Sequence, residues 1–303
     1  MTEHTYVRHD TTFLSEGTRC AAWLYRPDGV GNPPIVVMAH GFAAFRELRL
    51  DAYADRFARA GYAVLVFDYR FWGASDGEPR RILDIKAQHA DWQAAVAYAR
   101  GLDGVDATRL VAWGSSFAGG HVLHLLARDH AVAAGIVQVP HVNGPASAFS
   151  QPATQLVRLF IAGVRDQLGA WLGAKPYRTA AIGRPGDLAM MTSPGAMELV
   201  EQMAGEHRDK LLTENDVAAR IALRVPFYSP GRYASRITVP TLVQLASNDD
   251  VTPMDKALKA ARRIPRGEVL VYECSHFEPY LEPHFDRIVA DQIDFLRRHI
   301  GQG

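Results

Sequence analysis

The chain has 303 residues, 48% of them hydrophobic and 22% charged, and its 33 Lys+Arg balance its 33 Asp+Glu. That length corresponds to about two domains, or to one large α/β domain with an insertion. The apolar content excludes a disordered chain, and the zero net charge leaves no sequence basis for a nucleic-acid partner or an anionic membrane surface.

Taken in chain order, the opening residues Met1-Thr2-Glu3-His4-Thr5 lack a basic stretch followed by an apolar run, and no apolar run is long enough to span a bilayer. A cytoplasmic protein without a membrane span is therefore expected. Tyr6 to Phe13 and Arg19 to Tyr25, joined by Ser15-Glu16-Gly17, predict an antiparallel hairpin. Short buried-strand runs follow at Ile35–Ala39, Ala63–Phe67, Leu110–Trp113, Val132–Val139, Leu242–Ala246 and Val269–Tyr272. Between them, Arg46 to Ala60, Ile85 to Ala99 and Ile288 to Ile300 carry apolar residues at helical spacing. This alternation predicts an α/β fold: a mostly parallel sheet of about eight strands flanked by helices. From His141 to Val239 the rhythm stops for about a hundred residues, too long for a simple crossover. Its apolar stretches, Leu156 to Trp171 and Met197 to Met203, predict an inserted helical cap over 141–239, leaving 1–140 and 240–303 as the core. Cys20 and Cys274, the two cysteines, lie among strand-like residues and read as small buried side chains, not a bridge.

Chemistry concentrates where strands end. Val111-Ala112-Trp113-Gly114-Ser115-Ser116-Phe117-Ala118-Gly119 closes a strand and opens an apolar helix. A sharp strand-to-helix turn presses together the residues two before and two after its apex, so both must be small. Around Ser116 they are Gly114 and Ala118; around Ser115 they are Trp113 and Phe117, so Ser116 is the expected nucleophile. No Gly-Lys-Ser/Thr follows, which argues against a phosphate loop.

A serine hydroxyl needs a base and an orienting acid within hydrogen-bond reach. Parallel strands bring their C-terminal ends to one sheet edge, where Ser247-Asn248-Asp249-Asp250 and Glu273-Cys274-Ser275-His276 also fall. His276 is the expected base, and Asp249 is favoured over Asp250 as its acid. His121 and His124, on the helix that Ser116 opens, read as packing or surface residues, and no metal site is expected there because no third ligand accompanies them. The oxyanion of acyl transfer needs two fixed N–H donors. The amide of Phe117 is one, and Phe42, in the loop His40-Gly41-Phe42-Ala43, supplies the other, with His40 bracing that loop.

With His40-Gly41-Phe42, Phe67-Asp68-Tyr69-Arg70-Phe71-Trp72-Gly73-Ala74-Ser75, Gly114 to Gly119, Asn248 to Pro253 and Ser275-His276-Phe277 in place, the chain resembles the α/β-hydrolase superfamily. It looks like the serine esterase and peptidase-like branch related to dienelactone hydrolases and X-Pro dipeptidyl peptidases. The resemblance implies a Ser116-His276-Asp249 triad, an acyl-enzyme released by water, and no metal or organic cofactor. It departs from the usual pattern at Ala118 and Ala246, both small, and serine stands where a dienelactone hydrolase has cysteine.

The substrate expected is a small molecule with a hydrophobic acyl group. Phe45, Phe71 and Trp72 in strand-end loops and Phe160 in the cap are the candidate binding residues, while Arg46, Arg70 and Arg80 are free either to hold a substrate carboxylate or to pair with Asp76 and Glu78. An ester or lactone hydrolase leads. A thioesterase or acyltransferase on pathway or carrier-bound chains, and a non-catalytic ligand-binding protein, are the alternatives. Oligomeric state is not legible; dimers are the commonest assembly, which leaves a homodimer open.

Overall fold

The structure, a computed structural model, describes residues 3–301. β1 (Tyr6–Ser15) and β2 (Thr18–Pro27) form the hairpin, with Ser15 opposite Thr18. Glu16 and Gly17 between them have φ of 46° and 82°, the backbone of a two-residue turn that suits strand twist. Every residue of β3 (Pro34–Ala39) is buried, as befits a central parallel strand covered on both faces. Helix α1 (Leu50–Arg59) starts later than Arg46. Arg46 instead donates its amide to Asp68, and Arg49 takes a left-handed φ of 68° that a helix cannot include.

β4 (Ala63–Phe67) leads to α2 (Ile85–Arg100), whose first turn is capped by the Asp84 carboxylate accepting from the amides of Lys86 and Ala87. β5 (Asp106–Ser115), α3 (Phe117–Leu126) and β6 (Ala134–Gln138) follow. The segment that interrupts the rhythm contains α4 (Gly144–Phe149), α5 (Ala153–Trp171), β7 (Arg178–Ile182), β8 (Ala189–Met191), α6 (Ala196–Ala204), α7 (Arg208–Glu214) and β9 (Asp216–Ala218). Its helices were expected; the small sheet, ordered β8-β7-β9, was not. Two of those strands are three residues long, too short to show an alternating pattern. The chain then re-enters the core through β10 (Thr241–Ala246), α8 (Met254–Ala261), β11 (Gly267–Tyr272) and α9 (His284–His299).

The main sheet has eight strands in the order β1-β2-β4-β3-β5-β6-β10-β11. Pairing is parallel from β4 to β11, and the hairpin joins antiparallel through β2. Alternate residues feed separate cores on the two faces: Ile35 and Val37 on one, Val36 and Met38 on the other. β11 is one of the two edge strands, so Leu270 and Val271, which read as buried, are exposed. Cys20 and Cys274 are buried and unbridged. Among the described residues no helix is long and apolar enough to cross a membrane.

Candidate active site

Ser116 is the single residue between β5 and α3, and it holds φ 54° and ψ −119°, a conformation that L-residues rarely adopt. The turn is sharp enough that a Cβ on Gly114 would lie 2.5 Å from the Ala118 carbonyl oxygen, so the close approach inferred from the sequence is present. The apex is held from both sides: the Ser116 amide donates to the Gln138 carbonyl at 2.9 Å, and its own carbonyl accepts from the His141 amide at 2.9 Å. Ser115 faces the interior, where its hydroxyl accepts from the Gln138 side-chain amide at 3.3 Å.

The loops after β10 and β11 bring Asp249 and His276 to Ser116. His276 Nε2 lies 2.9 Å from Ser116 Oγ, and Nδ1 lies 2.8 Å from Asp249 Oδ2. Asp249 also accepts from the amides of Val251 and Thr252 at 3.0 and 2.7 Å and from the Thr252 hydroxyl at 2.8 Å. Burial pushes the Asp249 carboxyl up, but the His276 ring and these Thr252 donors outweigh it and hold it below the ordinary carboxylate range. Asp250 is exposed. Thr252 as the carboxylate's partner was missed from the sequence; a Thr three residues after an Asp is common in loops, and only the turn shows its hydroxyl reaching back.

The loop after β3 abuts the nucleophile, for a Cβ on Gly41 would stand 3.2 Å from Ser116 Cβ. Phe42, next in the chain, sets its ring edge-on against Phe117, with centroids 5.5 Å apart. As the first residue of α3, Phe117 presents an amide that has no partner within its own helix. His40 is buried with Nδ1 3.1 Å from the Gly41 carbonyl oxygen, and burial lowers its pKa. Asp68, given no role from the sequence, ties this loop to the next one: it accepts from the amides of Arg46 and Ala74 at 2.9 and 3.1 Å. Gly73, at φ 50°, leaves room for it, since a Cβ there would be 2.3 Å from an Asp68 oxygen.

Two cavities meet at Ser116. The larger, about 290 Å³, is lined by Phe42, Phe117, Leu156, Leu159, Phe160 and Met190, among others. The smaller, about 50 Å³, is lined by His276, Leu48, Ile182, Val200 and Tyr280, among others. Phe160 is therefore at the larger cavity, together with Leu156 and Leu159 of the same helix, α5. Phe45, Phe71 and Trp72 line neither cavity. Phe45 is core with Lys210 Nζ 4.4 Å from its ring centre, Trp72 is core with its indole donating to the Ile82 carbonyl, and Phe71 packs on Gly77. In each, the apolar ring is taken up by protein neighbours and not by the cleft. The arginines are also engaged elsewhere. Arg70 pairs with Asp91 and Glu16, Arg46 with Asp68, and Arg80 donates to the carbonyls of Gly73 and Ser75, while Asp76 pairs with Arg19.

Behind α3, the Phe117 ring rests on His121, His141 and Tyr228. His121 bridges the Tyr228 hydroxyl and Gln88 at 2.8 and 2.9 Å, and His141 Nε2 lies 3.0 Å from the Tyr228 carbonyl oxygen. Burial pushes His141 down to about 4 and His121 well below its ordinary value. Above the ordinary imidazole value of 6.5 such a ring is neutral folded and unfolded; below it the unfolded chain binds a proton that the fold refuses, so stability falls toward about pH 4. For His141 the loss between pH 7.5 and pH 5 is about 2 kcal/mol. Urea unfolding at both pH values is expected to show a gap about 2 kcal/mol smaller in His141→Gln, and an unchanged gap refutes this origin.

Comparisons with known proteins establish the family and the fold. The quorum-quenching protein AidA of Acinetobacter baumannii (strain MDR-ZJ06) is 43% identical over 291 residues, covering 95% of this chain and 94% of that protein. Polyketide transferase ATR5 of Stachybotrys chlorohalonatus is 27% identical over 301 residues, covering 96% and 97%. The solved structure of DcsB in complex with its substrate analogue superposes with a TM-score of 0.81 at 20% identity, covering 98% of this chain and 99% of that one, a likeness of fold. The family model described as serine aminopeptidase, S33 (Hydrolase_4) matches residues 32–284, and the chain belongs to that family of α/β-hydrolases.

Proposed function

We propose that this protein is a serine hydrolase cleaving a carboxylic ester or lactone of a hydrophobic small molecule through an acyl-enzyme on Ser116. The observation that carries the reading is the hydrogen-bonded run from Asp249 through His276 to Ser116, at 2.8 and 2.9 Å, opening onto an apolar cavity of about 290 Å³. In this mechanism His276 Nε2 takes the hydroxyl proton as Ser116 attacks, while Asp249 keeps Nδ1 protonated and stabilises the imidazolium. The amides of Phe42 and Phe117 receive the oxyanion, each contributing about 2.7 to 4 kcal/mol where such donors have been removed. Water then repeats the sequence on the acyl-enzyme. The chain's own residues supply every proton movement.

A second reading is acyl transfer or thioester cleavage; the relative named a polyketide transferase favours transfer. The test offers p-nitrophenyl acetate, butyrate and octanoate, γ-decalactone, and an octanoyl thioester, each with and without an added alcohol. Hydrolysis of the oxygen esters or the lactone without an acceptor is the expected result. Turnover confined to the thioester, or dependent on the alcohol, replaces it with the second reading. Inertness toward all of them points to a binding protein on this fold.

A further inference from the structure

We propose that the cavity of about 290 Å³ takes the acyl chain and the chamber of about 50 Å³ takes the leaving group, so that the site selects esters with a medium-length apolar acyl chain and a small alcohol. The inference rests on the serine-hydrolase reading above and gives that site a direction.

The direction follows from where the proton must go. Ser116 Oγ bonds to the carbonyl carbon and its proton passes to His276 Nε2. When the tetrahedral intermediate collapses, the bond from carbon to the leaving oxygen breaks and Nε2–H delivers that proton to the departing alkoxide. Water next attacks the acyl carbon, gives a proton to Nε2, and the acyl–serine bond breaks as Ser116 recovers it. The leaving oxygen must therefore come within hydrogen-bond reach of Nε2. His276 lines the smaller chamber and not the larger cavity. Phe117, the oxyanion donor of the mechanism proposed above, lines the larger cavity and not the smaller. The acyl carbon stays on Ser116, and its substituent extends away from His276 into the larger space.

Size then sets the class. The larger cavity, about 290 Å³, has several times the volume of the chamber of about 50 Å³, so the long apolar chain belongs in the first and the small alcohol in the second. A lactone ring, whose leaving oxygen remains tethered to the acyl carbon, sits at the junction; an apolar substituent on its α-carbon then extends into the large side, whereas one on the carbon bearing the leaving oxygen, as in γ-decalactone, is directed at the small chamber and is disfavoured. Three residues line both spaces: Ser116, Phe42 and Met191. Phe42 is held edge-on against Phe117, which leaves Met191, brought in by β8 of the inserted segment, as the adaptable part of the divider.

Methyl octanoate and heptyl acetate are isomers that differ only in which side of the ester bears the long chain, so their comparison isolates direction. The expected result is a kcat/KM for methyl octanoate at least about 100-fold above that for heptyl acetate, given that a single misplaced methylene already costs about 10- to 200-fold. Met191→Ala is expected to raise kcat/KM for heptyl acetate at least about tenfold by joining the two spaces. Equal rates, or a preference for heptyl acetate, overturn the assignment while leaving the hydrolase reading intact. Failure to cleave either isomer or any ester of the panel above overturns both.

Discussion

Ser116→Ala is expected to lower kcat/KM for p-nitrophenyl butyrate by about 10⁴- to 10⁶-fold, the range found when a serine nucleophile is removed and only binding and oxyanion donors remain. Ser115→Ala is expected to stay within about tenfold of wild type, because loss of a buried neutral hydrogen bond acts on stability by about 1 kcal/mol and not on the reacting atoms. The contrast is sharp because adjacent residues at this turn point in opposite directions: Ser116 Oγ faces His276, and Ser115 Oγ faces Gln138. Alanine at 116 keeps the Cβ that already tolerates the φ of 54°, so thermal melting should match wild type. A dead Ser115→Ala with an active Ser116→Ala would sink the assignment.

Asp249→Asn is expected to lower kcat by about 10⁴-fold, as in other triads whose acid is made an amide. The substitution preserves shape, and the amides of Val251 and Thr252 can still donate to the remaining side-chain oxygen. What changes is the partner of His276 Nδ1. Facing an NH₂ group, the ring favours the tautomer with Nδ1 as acceptor and the proton on Nε2, where it cannot take the Ser116 proton. The negative charge that stabilises the imidazolium is lost as well. Asp250→Asn, on the exposed neighbour, should leave kcat within about twofold, as surface substitutions generally do. Steady-state kinetics of the two variants side by side decide the matter, and a larger loss in Asp250→Asn reverses the order of the two carboxylates.

The elements were legible where one residue pattern had one structural solution. The buried run Ala63–Phe67 became β4 at the same residues and Ile35–Ala39 became β3 with one residue, Pro34, added at its start, because continuous apolar stretches of that length bounded by turns fit a strand covered on both faces. Val269–Tyr272 looked the same yet lies at the sheet edge, since strand order is a property of the whole sheet and not of the run. Among the aromatic rings near strand ends, Phe42 lines both cavities whereas Phe45 and Trp72 turn into the core. A Phe in a loop carries no local mark of which way it will turn.

By itself the sequence determined the parallel sheet, the elbow at Ser116 and the loops carrying Asp249 and His276. These depend on short-range sterics around Gly114 and Ala118 and on the rule that parallel strands end at one edge. Only the tertiary structure decided the shape of the binding space. Its walls come from α4, α5, β8 and the residues around Val225, stretches far apart in the chain whose apolar side chains meet only when the inserted segment packs over the sheet. The same packing, through Met191, divides that space at Ser116, because a boundary between two cavities exists only where side chains from different segments touch.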